Sequence, residues 1–139
     1  MATSLIYNSA LADEASGAID YDTDNFRCML VTNAYAADQK IHRRRSDVTG
    51  EVTGGGYVAG GVLATVSIAE DTGNNRIDIS LGAVDWPAST ISATGAVYYK
   101  SRGGASGADE LVAYIDFGGD VSSVSGLFAL SASTIRKQN

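Results

Sequence analysis

The chain reads as a mainly β protein, an antiparallel β-sandwich or jelly roll with one short N-terminal helix, and three observations predict this. Seven or so short runs of strand-forming residues follow one another from Phe26 onward, separated by clusters of Gly, Asn, Asp and Ser. No helical pattern alternates with them, so parallel βαβ architectures drop out. Glycine is abundant at 16 residues and proline occurs once, a balance that suits many tight turns between short strands. A length of 139 residues predicts one domain, 1–139, able to bury its own core without disulfides or metals.

The elements follow in order. From Ser4 to Ser16 the apolar residues Leu5, Ile6, Ala10, Leu11 and Ala15 recur at helical spacing and stop at Gly17, so residues 1–18 predict a short helix or arm. Phe26 to Thr32 is apolar almost throughout, as a strand covered on both faces would be. The stretch Asn33–Asp47 is polar and predicts a long loop, with a helical turn near Tyr35 to Gln39. Five glycines fall between Glu51 and Val62, where only close backbone approach or positive φ calls for so many. No Gly-Lys-Ser/Thr follows and no helix opens behind them, which removes the phosphate-loop reading. Val62–Ala69 and Arg76–Leu81 flank Glu70–Asn75 as a hairpin. Ile91–Lys100, Leu111–Phe117 and Leu127–Ser133 supply three more strands, divided by Ser101–Ala108 and by Gly118-Gly119-Asp120.

Charge is laid out unevenly. Residues 1–25 carry five acids and no base, residues 26–50 carry five bases against two acids, and the whole chain sums to −6. The Arg43-Arg44-Arg45 cluster is the one dense positive feature, a solvated loop or a dock for acidic protein surface. An acidic chain whose tyrosines do not interleave with that cluster is a poor nucleic-acid binder. No basic segment with an apolar run opens the chain and no stretch is long enough to cross a bilayer, so no membrane association is expected, and synthesis is expected in the cytoplasm.

Chemistry-bearing residues are sparse. Asp20-Tyr21-Asp22-Thr23-Asp24 opens like a calcium loop, but the sixth position is Asn25 and the twelfth is Val31, where Gly and a bidentate carboxylate are needed. A solvated loop is expected there. His42 is the only histidine and Cys28 the only cysteine, the latter inside an apolar run, so neither a triad nor a multi-histidine zinc site has its parts. The expectation is a protein without catalytic residues, metal or cofactor. Trp86 with Tyr98 is weighed as a sugar-stacking platform and, more simply, as a cap on the core. Tyr98-Tyr99 places neighbouring aromatics on opposite faces of a strand, which predicts one of them outside the core.

Taken in order, Ile19–Asp24, Met29-Leu30-Val31, Ser46–Val52, Gly56–Gly61, Trp86, Ser89-Thr90-Ile91, Gly95-Ala96-Val97 and Tyr114–Gly118 resemble a family of small tailed-bacteriophage virion proteins. The series, collinear over most of residues 19–118, is similar to head decoration proteins of the cement type, as in Bordetella-type podophages. That resemblance implies a jelly roll, a homodimer, a place on the capsid exterior and the major capsid protein as partner. It carries no catalytic motif. Contact with the capsid is therefore assigned from the residues themselves, to Leu5 and Ile6 as an arm and to Arg43, Arg44 and Arg45 as forked donors to carboxylates. The alternative expectation is a tail, spike or host-glycan-binding virion component working through Trp86 and Tyr98.

Overall fold

A computed structural model describes residues 3–138, with side-chain burial from Ser4 onward. The strands are β1 (Thr3–Ile6), β2 (Phe26–Val31), β3 (Val62–Ala64), β4 (Val66–Asp71), β5 (Arg76–Leu81), β6 (Val84–Lys100), β7 (Leu111–Leu130) and β8 (Ser133–Gln138), with one α-helix, α1 (Asn8–Ser16). They form a five-stranded sheet in the order β1-β7-β6-β2-β3 and a three-stranded sheet in the order β4-β5-β8, every pairing antiparallel. The mainly β, antiparallel sandwich reading holds.

The core is a single cluster built on β2, β6 and the first half of β7. β2 is buried at Phe26 and from Cys28 to Val31, as its unbroken apolar run predicts for a strand with neighbours on both edges and cover on both faces. Cys28 is fully buried, and burial pushes its thiol far above the ordinary range, which makes it a small hydrophobe. β6 is buried continuously from Gly95 to Tyr99.

Four expectations need correction. The N-terminal helix is shorter than its periodicity predicts, because Thr3–Ile6 pairs with β7 (Leu5↔Tyr114, Ile6↔Ala113) and α1 starts only at Asn8. A sheet edge able to pair four consecutive residues outcompetes helical propensity. The far end is as expected: Gly17 takes φ 87 and its N–H bonds to the Glu14 carbonyl. The helical turn expected near Tyr35 to Gln39 falls a little later: a single turn closes over residues 38–42, where the His42 N–H donates to the Asp38 carbonyl at 3.0 Å, and a 3-10 turn follows at Arg45–Asp47. Gly118-Gly119-Asp120 does not end a strand. β7 runs through it, with the four residues 117–120 bulging against the single residue Thr94 of β6. Finally, Tyr98 and Tyr99 are both buried. The register shifts between them, the Tyr98 hydroxyl donates to the Gly82 carbonyl at 3.1 Å, and the Tyr99 hydroxyl donates to the Gly60 carbonyl at 2.6 Å under the glycine-rich segment.

The β4–β5 hairpin forms as predicted, with the positive φ at Asn75 (52°) instead of at Gly73. The glycine-rich segment is a strap laid across β2 and β6. A Cβ at Gly61 would lie 1.8 Å from the Cys28 carbonyl oxygen, and one at Gly54 would lie 2.4 Å from that of Thr90. Glu51 fastens the strap, its Oε2 accepting from the Tyr57 hydroxyl at 2.6 Å and from the Gly60 N–H at 2.7 Å.

Candidate functional surface

The arginine loop is a braced shoulder. Arg45 donates through Nε to Asp109 Oδ2 at 2.7 Å and holds its guanidinium 5.2 Å above the Tyr99 ring, while Asp109 is only 1% exposed. Arg44 lies 3.7 Å from Asp13 and donates to the Arg43 carbonyl. Asp47 accepts the backbone N–H groups of Arg43 and Arg44 at 2.8 and 3.0 Å, and those two bonds hold its carboxyl below the usual range. His42 is built in as well. Its Nδ1 accepts the Asp38 N–H at 3.1 Å and lies 2.9 Å from the Tyr35 hydroxyl, which in turn is 2.7 Å from that of Tyr7. Of the three arginines expected to face a partner together, Arg43 alone is exposed and free of ion pairs among the described residues. Arg45 is consumed by the fold and Arg44 half so.

The remaining sequence-predicted positions separate just as clearly. Leu5 and Ile6 are half-buried in β1, an edge strand bonded to β7, so they do not form a free arm. Trp86 is 2% exposed and packs between Tyr57 and Phe128, with ring centroids at 6.0 and 5.9 Å. Tyr98 is fully buried. Neither offers a ring face to a sugar, and the glycan platform assigned to them is withdrawn on that ground. Asp20 and Asp24 bond back to their own loop, Asp20 Oδ1 accepting from the Asp22 N–H and Asp24 Oδ2 from the Asp20 N–H, and Asp24 also pairs with Lys100 at 2.9 Å. No group of three metal-ligating side chains converges among the described residues.

The surface that sequence reasoning missed is the far end of the β6–β7 ribbon. β1 pairs with β7 only from Ala113 to Asp116, and β2 pairs with β6 only from Gly95 to Lys100. Beyond those points the two long strands run on as a pair, from Ala93↔Val121 to Val84↔Leu130. One side of the ribbon is packed on the core through Trp86, Ser89, Ile91, Ser123 and Phe128. A hydroxyl pair stiffens it there, Ser89 Oγ and Ser123 Oγ lying 2.8 Å apart. The other side is exposed and apolar at Val124 (81%) and Leu127 (61%). Among the described residues the outer edge of β7 from 121 to 130 joins no further strand. Beside it Phe117, Val121, Phe128 and Leu130 line an apolar notch of about 200 Å³.

An open β edge with protruding aliphatic residues is a surface suited to another protein, since soluble domains ordinarily cover or charge such edges. No charged residue lies between Val121 and Leu130, the nearest on β7 being Asp120. Comparison with protein-family models, with curated proteins and with solved structures finds no match to the chain. Among the described residues no helix is long and apolar enough to cross a membrane.

Proposed function

We propose that the protein is a bacteriophage capsid decoration, or cement, subunit that binds the expanded head from outside and bridges neighbouring major capsid subunits. The observation that carries this reading is the free end of the β6–β7 ribbon, a rigid, open-edged, apolar strand pair on a small domain. The collinear resemblance of residues 19–118 to small virion proteins supplies the partner. Arg43, exposed beside the braced Arg44, adds a forked donor for carboxylates on the shell.

The mechanism is mass action. A ligand that binds the expanded lattice and not its precursor stabilises the expanded state by RT ln(1 + [L]/Kd) per site. Pairing two copies into a homodimer makes the second lattice contact intramolecular, so modest individual contacts hold firmly. A dimer on a local two-fold presents the same patch twice. No cofactor, membrane or direct nucleic-acid contact enters this scheme.

Two measurements test it. In purified virions, quantitative gel staining is expected to give this chain in a large fixed ratio to the major capsid protein; a few copies per particle, or none, refutes the decoration role. With purified expanded heads, Val124→Asp combined with Leu127→Asp is expected to abolish co-sedimentation while changing the unfolding free energy by no more than about 1 kcal/mol, because both side chains are exposed. Undiminished co-sedimentation of that variant removes the ribbon from the interface.

A further inference from the structure

The three-stranded sheet leaves part of its inner face uncovered. Its registers place Ile68, Ile79 and Ile135 in one row, and Glu70, Ile77 and Lys137 in the next, all on the same face. That face is the core side, since Ile79 and Ile135 are each 3% exposed. Yet Ile68 is 45% and Ile77 39% exposed, because the sheet overhangs the rest of the domain on its β4 side. Across from them stand Glu14 of α1, Ile19 and Tyr21, and a cleft of about 390 Å³ lies between.

Tyr21, one of the lining residues, stacks its ring on Phe26 at 5.6 Å between centroids. Tyr21 is 5% exposed and its hydroxyl is buried, but it has no hydrogen-bond partner. Burial first, then the nearby charges of Glu14 and Asp13, push the hydroxyl well above its ordinary pKa, so it remains a donor at any working pH.

Beside the cleft, β4 is the outer strand of its sheet, and its far edge pairs with no other strand among the described residues. A strand added there continues the two rows. One of its inward side chains falls next to Ile68 over the cleft, and the neighbouring inward side chain, two residues away, falls next to Glu70. Glu70 is exposed and has no ion pair among the described residues, whereas Lys137 is already engaged with Glu14 at 3.1 Å. Asp20 adds a second negative wall. Opposite charge is what a cross-strand neighbour of Glu70 calls for.

We propose that the β4 edge and this cleft form a docking site for an extended segment of a partner protein, added antiparallel to β4. Because the added chain runs opposite to β4, it meets Glu70 before Ile68, and its inward residues read basic-x-aliphatic from the N-terminus. Backbone bonds to β4 hold the segment, the aliphatic side chain fills the space between Ile68 and Ile19, and the basic one pairs with Glu70. The site lies on the three-stranded sheet and stands independently of the capsid assignment.

The test is an amide NMR titration of the full chain with the end-capped peptide Thr-Lys-Thr-Ile-Thr-Val-Thr. Shifts are expected to concentrate at residues 66–71 and at Tyr21, and replacing the peptide's Lys by Glu is expected to weaken binding by up to about fivefold. Glu70→Lys is expected to reverse that preference, and Ile68→Asp to abolish the shifts; both positions are exposed, so the fold is retained. Equal binding of the Lys and Glu peptides, shifts centred elsewhere, or no shifts at all would overturn the proposal. Shifts at 66–71 that grow with protein concentration alone would mean that a second copy takes the edge, and would overturn the partner assignment.

Discussion

Replacing Gly61 by alanine tests whether the glycine-rich strap is held by close backbone approach. The new Cβ would sit 1.8 Å from the Cys28 carbonyl oxygen, where ordinary contact begins at 3.4 Å, so strap and β2 must part by about 1.6 Å. Gly61 also has φ 77, a conformation that costs an L-residue on the order of 1 kcal/mol. Parting loosens three bonds that tie the strap down: Arg27 Nη2 to the Gly61 carbonyl at 2.9 Å, the Gly60 N–H to Glu51 at 2.7 Å, and the Tyr99 hydroxyl to the Gly60 carbonyl at 2.6 Å. At about 1 kcal/mol each, more where a charge takes part, the total loss is about 4 kcal/mol. That is a large share of the 5–15 kcal/mol or so that holds a domain together. Urea denaturation followed by Trp86 fluorescence reports it, and the melting temperature should fall by roughly 10–20 °C. Gly55→Ala is the control, since nothing lies within 4 Å of its added Cβ and its φ is not positive, and it should stay within about 0.5 kcal/mol. A Gly61→Ala midpoint indistinguishable from wild type, or equal losses in both variants, would refute the reasoning.

Other consequences are more direct. Trp86→Ala should cost about 3–5 kcal/mol in denaturant, whereas Trp86→Phe should cost far less because the indole N–H has no partner to lose; equal losses would show that ring volume is not what Trp86 supplies. Arg45→Ala should destabilise by about 2 kcal/mol by leaving buried Asp109 short of a donor, while Arg43→Ala should be neutral; the same midpoint comparison reads both, and a neutral Arg45→Ala would return it to the candidate contact surface. Acid should weaken the fold. Asp47 is held low by the Arg43 and Arg44 N–H groups; for Glu110 burial pushes upward, but the Arg102 fork outweighs it and the net direction is down. Groups depressed in the folded state give their full stabilisation above the unfolded carboxylate range near pH ~4 and lose it as pH falls through the folded values. Denaturation midpoints at pH 3 should therefore lie below those at pH 6, with a shallower dependence in Glu110→Gln; pH-independent midpoints would contradict this.

Much of the fold is legible in the sequence because the decisive signals are local. An unbroken apolar run marks β2, alternating Ile77, Ile79 and Leu81 mark β5, and Gly17 stops α1 where a left-handed residue is needed. The failures share a cause. Leu5 and Ile6 satisfy a helical period and a strand equally well, and only the β7 edge some 110 residues away decides between them. Gly118-Gly119-Asp120 has the composition of a turn, but a four-against-one bulge inside a strand uses the same glycine, Gly118 at φ 80. Leu127–Ser133 reads as one strand, whereas β7 persists to Leu130 and β8 begins at Ser133.

The candidate surfaces were less legible, for a reason specific to sandwiches. Leu127, Ile68 and Ile77 sit in strand patterns that read as core, Val124 lies in a stretch that the sequence assigns to no strand, and all four are exposed where the neighbouring sheet or strand stops short. Exposure of this kind belongs to topology and leaves no mark on composition. The converse error befell Trp86, Tyr98 and Arg45, whose residue types suggest contact surfaces but whose rings and charges are used inside the domain. Both errors point the same way. In this chain the residues with conspicuous chemistry hold the fold together, and the surfaces left for a partner are plain aliphatic strand edges. A partner therefore has to be recognised mainly through backbone pairing and aliphatic fit, and single-residue variants of the aromatic and arginine positions should register first as losses of stability.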